Sequence, residues 1–193
     1  MSAPVPSADD IGTRDSIGPG RAQLDHKAFD ELFRESAADV HAYAISLLAN
    51  RAAAEDVTAL AFERLYRARA RLDTGRGTPR AWLFAIARNA ALDELRRRRR
   101  QPQSELLAEL AGDHDHESAF EQIARRASVR DALAALPLRE REVVLLKFHG
   151  QLSNSELAKA LDVSESNAGT RLHRALTRLR EEYNGLEREE EIA

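Results

Sequence analysis

The sequence contains no cysteine, which removes disulfides, thiolate zinc sites and cysteine nucleophiles from consideration. Aromatic residues are scarce at 5%, although hydrophobic residues reach 43% and charged residues 32%. That mixture favours small, heavily solvated helical units over one large core. No apolar run approaches the roughly 18–20 residues of a membrane span, so no membrane insertion is expected. The first residues, MSAPVPSADDIGTRDSIGPGR, have neither a basic start nor an apolar stretch. They do not read as a secretory signal, and a cytoplasmic protein is expected. No GxSxG, no HExxH and no phosphate loop is present, so the chain is not expected to be an enzyme. No cofactor and no metal are expected. His114 and His116 alternate with acids and could suggest a metal site, but adjacent alternating ligands in a flexible acidic linker are weak evidence for one.

The 193 residues carry a formal charge of −3, distributed in blocks. Residues 62–100 hold 12 arginines against 4 acids, a surplus of +8. Residues 101–122 hold six acids and no Lys or Arg, and residues 181–193 carry −5. Blocks of one sign mark interaction surfaces or tails, so a weakly acidic total does not exclude nucleic acid.

The pattern along the chain predicts an all-α protein of two small helical domains. Residues 1–24 are rich in Pro, Gly, Ser and Asp and read as a disordered leader. Apolar residues at three- and four-residue steps predict helices from Asp25 to a break at Asn50, and from Ala52 to Arg71. Thr78 and Pro79 read as the start of a third helix reaching Arg100. Residues 25–100 thus form one domain. Residues 101–119 read as a flexible acidic linker with a short helix at 104–110. A second domain spans 120–182, with helices to Leu136, from Arg139 to Phe148, from Ser155 to Leu161, and from Glu165 to about Glu182. Residues 183–193 read as an acidic tail.

The strongest local motif lies between Leu152 and Arg180. Ser153 and Glu156 fit a capping box, which opens a short helix. A tight turn at Asp162 follows, then a longer helix. This is a helix-turn-helix pattern, with Leu157, Ala158, Leu161, Val163, Ala168, Leu172 and Leu176 as its interior. Ser166, Asn167, Thr170, Arg171 and Arg174 are left outward, where a recognition helix meets base edges and phosphates in the major groove. A second signal is Arg88-Asn89, then Asp93, then five arginines from Arg96 to Arg100. The arginines suit phosphates of any sequence, and Asn89 offers both donor and acceptor to an unpaired base edge. Trp82, the sole tryptophan, reads as a core plug more than a stacking platform.

Three ordered segments resemble the extracytoplasmic-function (ECF) sigma factors of bacterial RNA polymerase. Pro79 through Arg97 (PRAWLFAIARNAALDELRR) is similar to the family's regions 2.3–2.4. Ala54 through Phe62 is similar to region 2.2, and Leu136-Pro137-Leu138-Arg139-Glu140-Arg141-Glu142 through Ala175 to region 4. The resemblance covers residues 27–100 and 120–182. It implies a sigma factor that binds core RNA polymerase, directs it to promoters and helps melt the minus-ten element, with regions 1.1 and 3 absent.

By that resemblance Asp56, Leu60 and Glu63 meet the β′ clamp helices of the polymerase. Arg80, Arg88, Asn89, Asp93, Arg96 and Arg97 take the single-stranded minus-ten element, with Asn89 at a flipped-base pocket. Ser166, Asn167, Thr170, Arg171 and Arg174 read the minus-thirty-five duplex, while region 4 touches the β flap. The acidic linker threads toward basic polymerase channels, and an anti-sigma factor is an expected partner.

The sequence departs from the family in places. Ala59 and Leu60 stand where Gln-Glu is usual, and Ser166-Asn167-Ala168-Gly169-Thr170 replaces Gly-Thr-Val-Lys-Ser. Gly169 loses a phosphate-binding Lys and weakens the helix by up to about 1 kcal/mol. The alternative function is a free-standing helix-turn-helix regulator that binds duplex DNA without polymerase.

Overall fold

Short polar side chains set most helix starts in the computed structural model, which describes residues 24–72, 77–100 and 120–192. Asp25 accepts from the Ala28 N–H and opens α1 (His26–Leu48). Asn50 accepts from the Ala53 N–H and opens α2 (Arg51–Ala68). Between them Ala49 turns the chain with φ 49°, a left-handed conformation that a side chain tolerates poorly. One 3₁₀ turn, Arg69–Arg71, ends this hairpin. Thr78 caps α3 (Pro79–Arg100) by accepting from the Ala81 N–H at 3.2 Å, as expected from Thr-Pro. The expected leader up to residue 23, the short helix at 104–110 and the acidic linker lie outside the described residues. Leu24, assigned by sequence to the leader, is buried, and its N–H donates to the Arg69 carbonyl.

The second unit follows with α4 (Phe120–Ala135), α5 (Leu138–Phe148), α6 (Asn154–Leu161) and α7 (Glu165–Ile192). Arg141 reaches back to the carbonyls of Ala134 and Leu136, which have no helical partner at the end of α4. Ser153 and Glu156 form the full capping box of α6. Asp162 then takes φ 54° at the α6–α7 turn, where its short polar side chain is better tolerated than a bulky one. The last helix differs from expectation: it continues past Glu182 through the acidic segment to Ile192. Glu, Arg and Leu are good helix formers, and no proline interrupts them.

Among the described residues there are seven α-helices and no strand, and no helix is long and apolar enough to cross a membrane. The two units are in contact. A single core cluster runs from Val40, Leu47, Leu65 and Leu83 of the first unit into Leu145, Leu146, Leu152 and Leu157 of the second. A smaller cluster, Leu136, Val144 and Ala175, joins α4, α5 and α7.

Candidate nucleic-acid interface

The helix-turn-helix is built as its pattern predicts. Leu157, Ala158, Leu161, Ala168 and Leu172 are buried, and Val163 and Leu176 are half-buried. Ser166, Asn167, Thr170, Arg171 and Arg174 are all exposed on the first three turns of α7. The Ser164 hydroxyl accepts from the Asn167 N–H, and the Thr170 hydroxyl donates to the Ser166 carbonyl. These bonds hold the polar face without covering it. Gly169 has open space around its Cα, so its lack of a side chain reflects no packing demand.

The arginine-rich helix α3 is more divided. Asn89 is exposed, and its Oδ1 accepts from Arg88 Nη1 at 3.3 Å. Asp93 and Arg96 pair on the surface at 2.8 Å. Glu94, which the sequence reading passed over, takes Arg97 and Arg98 at 2.7 Å each. Hydrogen bonds from Arg97, and then Arg98, hold the Glu94 carboxyl below its ordinary range despite some burial. The acid fixes two basic side chains against the helix.

Arg80 and Arg88 are committed elsewhere. Arg80 donates to Ser36 Oγ and Asp39 Oδ2 in its own unit, and to the Gly150 and His149 carbonyls in the other. Its side chain is only 22% exposed. Arg88 forms an ion pair with Glu142 of α5, whose side chain is 6% exposed. Burial pushes the Glu142 carboxyl up, while Arg88 pulls it back.

Thr78 donates through its hydroxyl to Glu156 at 2.6 Å, tying the start of α3 to the start of α6. Partial burial opposes the Glu156 charge, but hydrogen bonds from Thr78 and Ser153 outweigh it and lower its pKa to about 2. Phe84 lies against Gly150 so closely that a Cβ there would sit 3.3 Å from the ring. Trp82 is half-buried and lines a groove with Glu156, Lys159 and Ala160 of α6, so it packs at the junction of the units.

Glu142 and Glu156 thus bridge the units. Glu142 left a trace in the sequence as an acid beside the apolar run Val143–Leu146. Its partner sits 54 positions away, and no local spacing marks that pairing.

On α2, Asp56 and Glu63 are exposed and Leu60 is half-buried, all on one outward stripe. Glu63 pairs with Arg67 at 2.6 Å. Asp56 is near enough to Arg97 of α3 to help raise its pKa. Among the described residues no group of His, Asp and Glu is placed to hold a metal, and His114 and His116 lie outside them.

Comparison with known proteins places these elements in a family context. The family model for Sigma-70 region 2 matches residues 32–101, and that for Sigma-70 region 4 matches residues 126–179. The ECF RNA polymerase sigma factor RpoE of Cereibacter sphaeroides is 30% identical over 168 residues, covering 83% of this chain and 91% of that protein. SigL of Mycobacterium tuberculosis is 29% identical, covering 83% of this chain and 92% of the relative. The structure of the sigma factor RpoE with the anti-sigma factor NepR from Bartonella quintana superposes with a TM-score of 0.61. It is 22% identical and covers 82% of this chain and 98% of that one, a likeness of fold.

Proposed function

Because the chain belongs to the ECF RNA polymerase sigma factors, we propose that its exposed α7 face and its α3 arginine face are the two promoter-reading surfaces. As a sigma factor it binds core RNA polymerase and directs it to specific promoters for initiation. The polymerase supplies the chemistry. The observation that carries the residue assignment is the exposed row Ser166, Asn167, Thr170, Arg171 and Arg174 at the start of the second helix of a capped helix-turn-helix. These residues take the minus-thirty-five duplex. Asn89, Asp93, Arg96 and Arg97 take the melted minus-ten strand, and Asp56, Leu60 and Glu63 meet the clamp helices.

Arg88 joins the minus-ten set only after it leaves Glu142. The contact between the units supports engagement in two stages. The two elements lie about 25 base pairs apart, roughly 85 Å along B-form DNA at about 3.4 Å per pair. Surfaces joined through Arg88 and Glu142 cannot span that distance. The chain between Arg100 and Phe120 can extend at most roughly 65 Å, so separated units remain tethered while each reaches its element. The closed arrangement is therefore that of the free chain, and promoter engagement needs an open one.

Run-off transcription with core polymerase, with and without the chain, tests the reading. Promoter-dependent transcript only with the chain supports it. Stable duplex binding with no capture of core polymerase would favour the free-standing regulator instead. That alternative explains residues 152–180 but gives the α3 residues Asn89 and Arg96 no duty.

A further inference from the structure

Closure gathers arginines from both units around one cleft. Arg96 and Arg99 enter from α3, Arg139 from α5 and Arg171 from α7, with Arg88 at the back. The cleft has a volume of about 530 Å³, within the size range of small-ligand sites. Among the described residues the acids that line the cleft are Glu142 and Asp162, and Asp93 reaches Arg96 from the same helix. Glu142 is already paired with Arg88, and Arg96 with Asp93. Arg139 and Arg171 lie near enough to Glu142 to lower its carboxyl. Among the described residues neither their side chains nor that of Arg99 form a hydrogen bond or ion pair within 4 Å.

We propose that this cleft is a binding site for a small, multiply charged phosphate anion, such as inorganic triphosphate or a nucleoside polyphosphate, and that its occupation holds the units together. The physical case has two parts. Guanidinium forks bind phosphate oxygens in pairs, and several forks converging on one cleft select for charge density. The arginines come from separate units, so the site is complete only in the closed chain. A ligand that binds one of two states shifts the equilibrium toward it by its differential affinity. Anion binding and promoter engagement are then antagonistic, because Arg88, Arg96 and Arg171 serve both. This last step rests on the promoter reading above; the site itself does not.

Arg99 and Arg139 separate the two roles, since neither belongs to the promoter set. The probe is sodium tripolyphosphate, titrated by calorimetry into the full chain at constant ionic strength. One saturable site per chain is expected, and Arg99→Ala with Arg139→Ala should weaken it by about tenfold or more. The same anion is then tested against opening. The sequence has no cysteine, so Ala38→Cys and His173→Cys, both exposed and outside the cleft, carry a dye pair across the units. Core polymerase should lower energy transfer. Tripolyphosphate should raise the polymerase concentration needed in the otherwise native chain, but not in the Arg99/Arg139 variant. That difference removes any effect of the anion on polymerase itself.

Equal calorimetric affinity in both proteins, or heat without saturation, would overturn the site. Saturable binding with no effect on opening would overturn its coupling to closure. If polymerase changes transfer in neither protein without anion and no run-off transcript forms, the sigma reading fails instead, and the calorimetry still decides the site.

Discussion

Arg80 and Arg88 sit two turns apart on one helix, and their surroundings give them different duties. Arg80 spends its donors on Ser36, Asp39 and two carbonyls of the α5–α6 connection, and so acts as a structural tie. Arg88 has one strong partner, Glu142, and in the proposed two-stage engagement exchanges it for DNA when the units part. Asn89 stays exposed beside it and needs no rearrangement. Asn89→Ala should therefore slow open-complex formation by about tenfold, the worth of one good polar contact, while leaving duplex binding by α7 unchanged. Permanganate footprinting of the melted strand, set against duplex affinity, measures both; equal loss in both would contradict the assignment. Tyr43 offers a separate check. It is fully buried, burial pushes its hydroxyl pKa up, and that hydroxyl finds no hydrogen-bond partner among the described residues. Tyr43→Phe should stabilise the chain by about 1 kcal/mol, since an unsatisfied buried hydroxyl costs about that much. A lower melting temperature in this variant would reveal a partner for the hydroxyl.

At the scale of elements, α6 depends on its cap. It has only eight residues, too few to hold together without tertiary packing and satisfied ends. Ser153→Ala should cost about 1 kcal/mol, visible as a lower melting temperature and weaker duplex binding, because α6 supports α7. Acid should act on the same place. The Glu156 pKa is lowered in the folded chain from 4.5 to about 2. A depressed folded value means its contribution is complete above 4.5 and is lost as pH falls toward 2. A pH series of melting temperatures should show Glu156→Gln converging on the unsubstituted chain in that window and differing from it above.

These caps were legible in the sequence because their partners stand three residues apart. Asp25 and Asn50 lie at the breaks the periodicity found, and the buried positions of the helix-turn-helix followed from a period of 3.6. What stayed hidden has no local period. The Arg80 contacts span 41 to 70 positions, and the Arg88–Glu142 pair joins different units. The resemblance implies Arg80 as a DNA contact, and no local pattern announces that in the closed chain its donors go to Ser36, Asp39 and two distant carbonyls. The end of α7 differs from expectation for another reason: the run after Tyr183 is acidic, which reads as a tail, yet its residues favour helix.

For the whole molecule, the decisive quantity is the balance between the contact of the two units and the docking of each on polymerase and DNA. The contact has an apolar part, with Phe84 against Gly150, and a polar part through Arg80, Arg88, Thr78 and Glu156. Removing one member of a buried charged pair leaves the other unsatisfied in the closed state. Once the units separate, water solvates it. Arg80→Ala combined with Glu142→Ala should therefore shift the chain toward the open form. A compact body of this length has a radius of gyration of about 16 Å, and two tethered units have a larger one. Small-angle scattering should show expansion in the double variant with helix content preserved by circular dichroism. Binding to core polymerase should tighten, because less of the docking energy is spent on separating the units. An unchanged radius together with unchanged polymerase affinity would mean that the apolar contact alone holds the chain closed, and would remove Arg80 and Glu142 from its control.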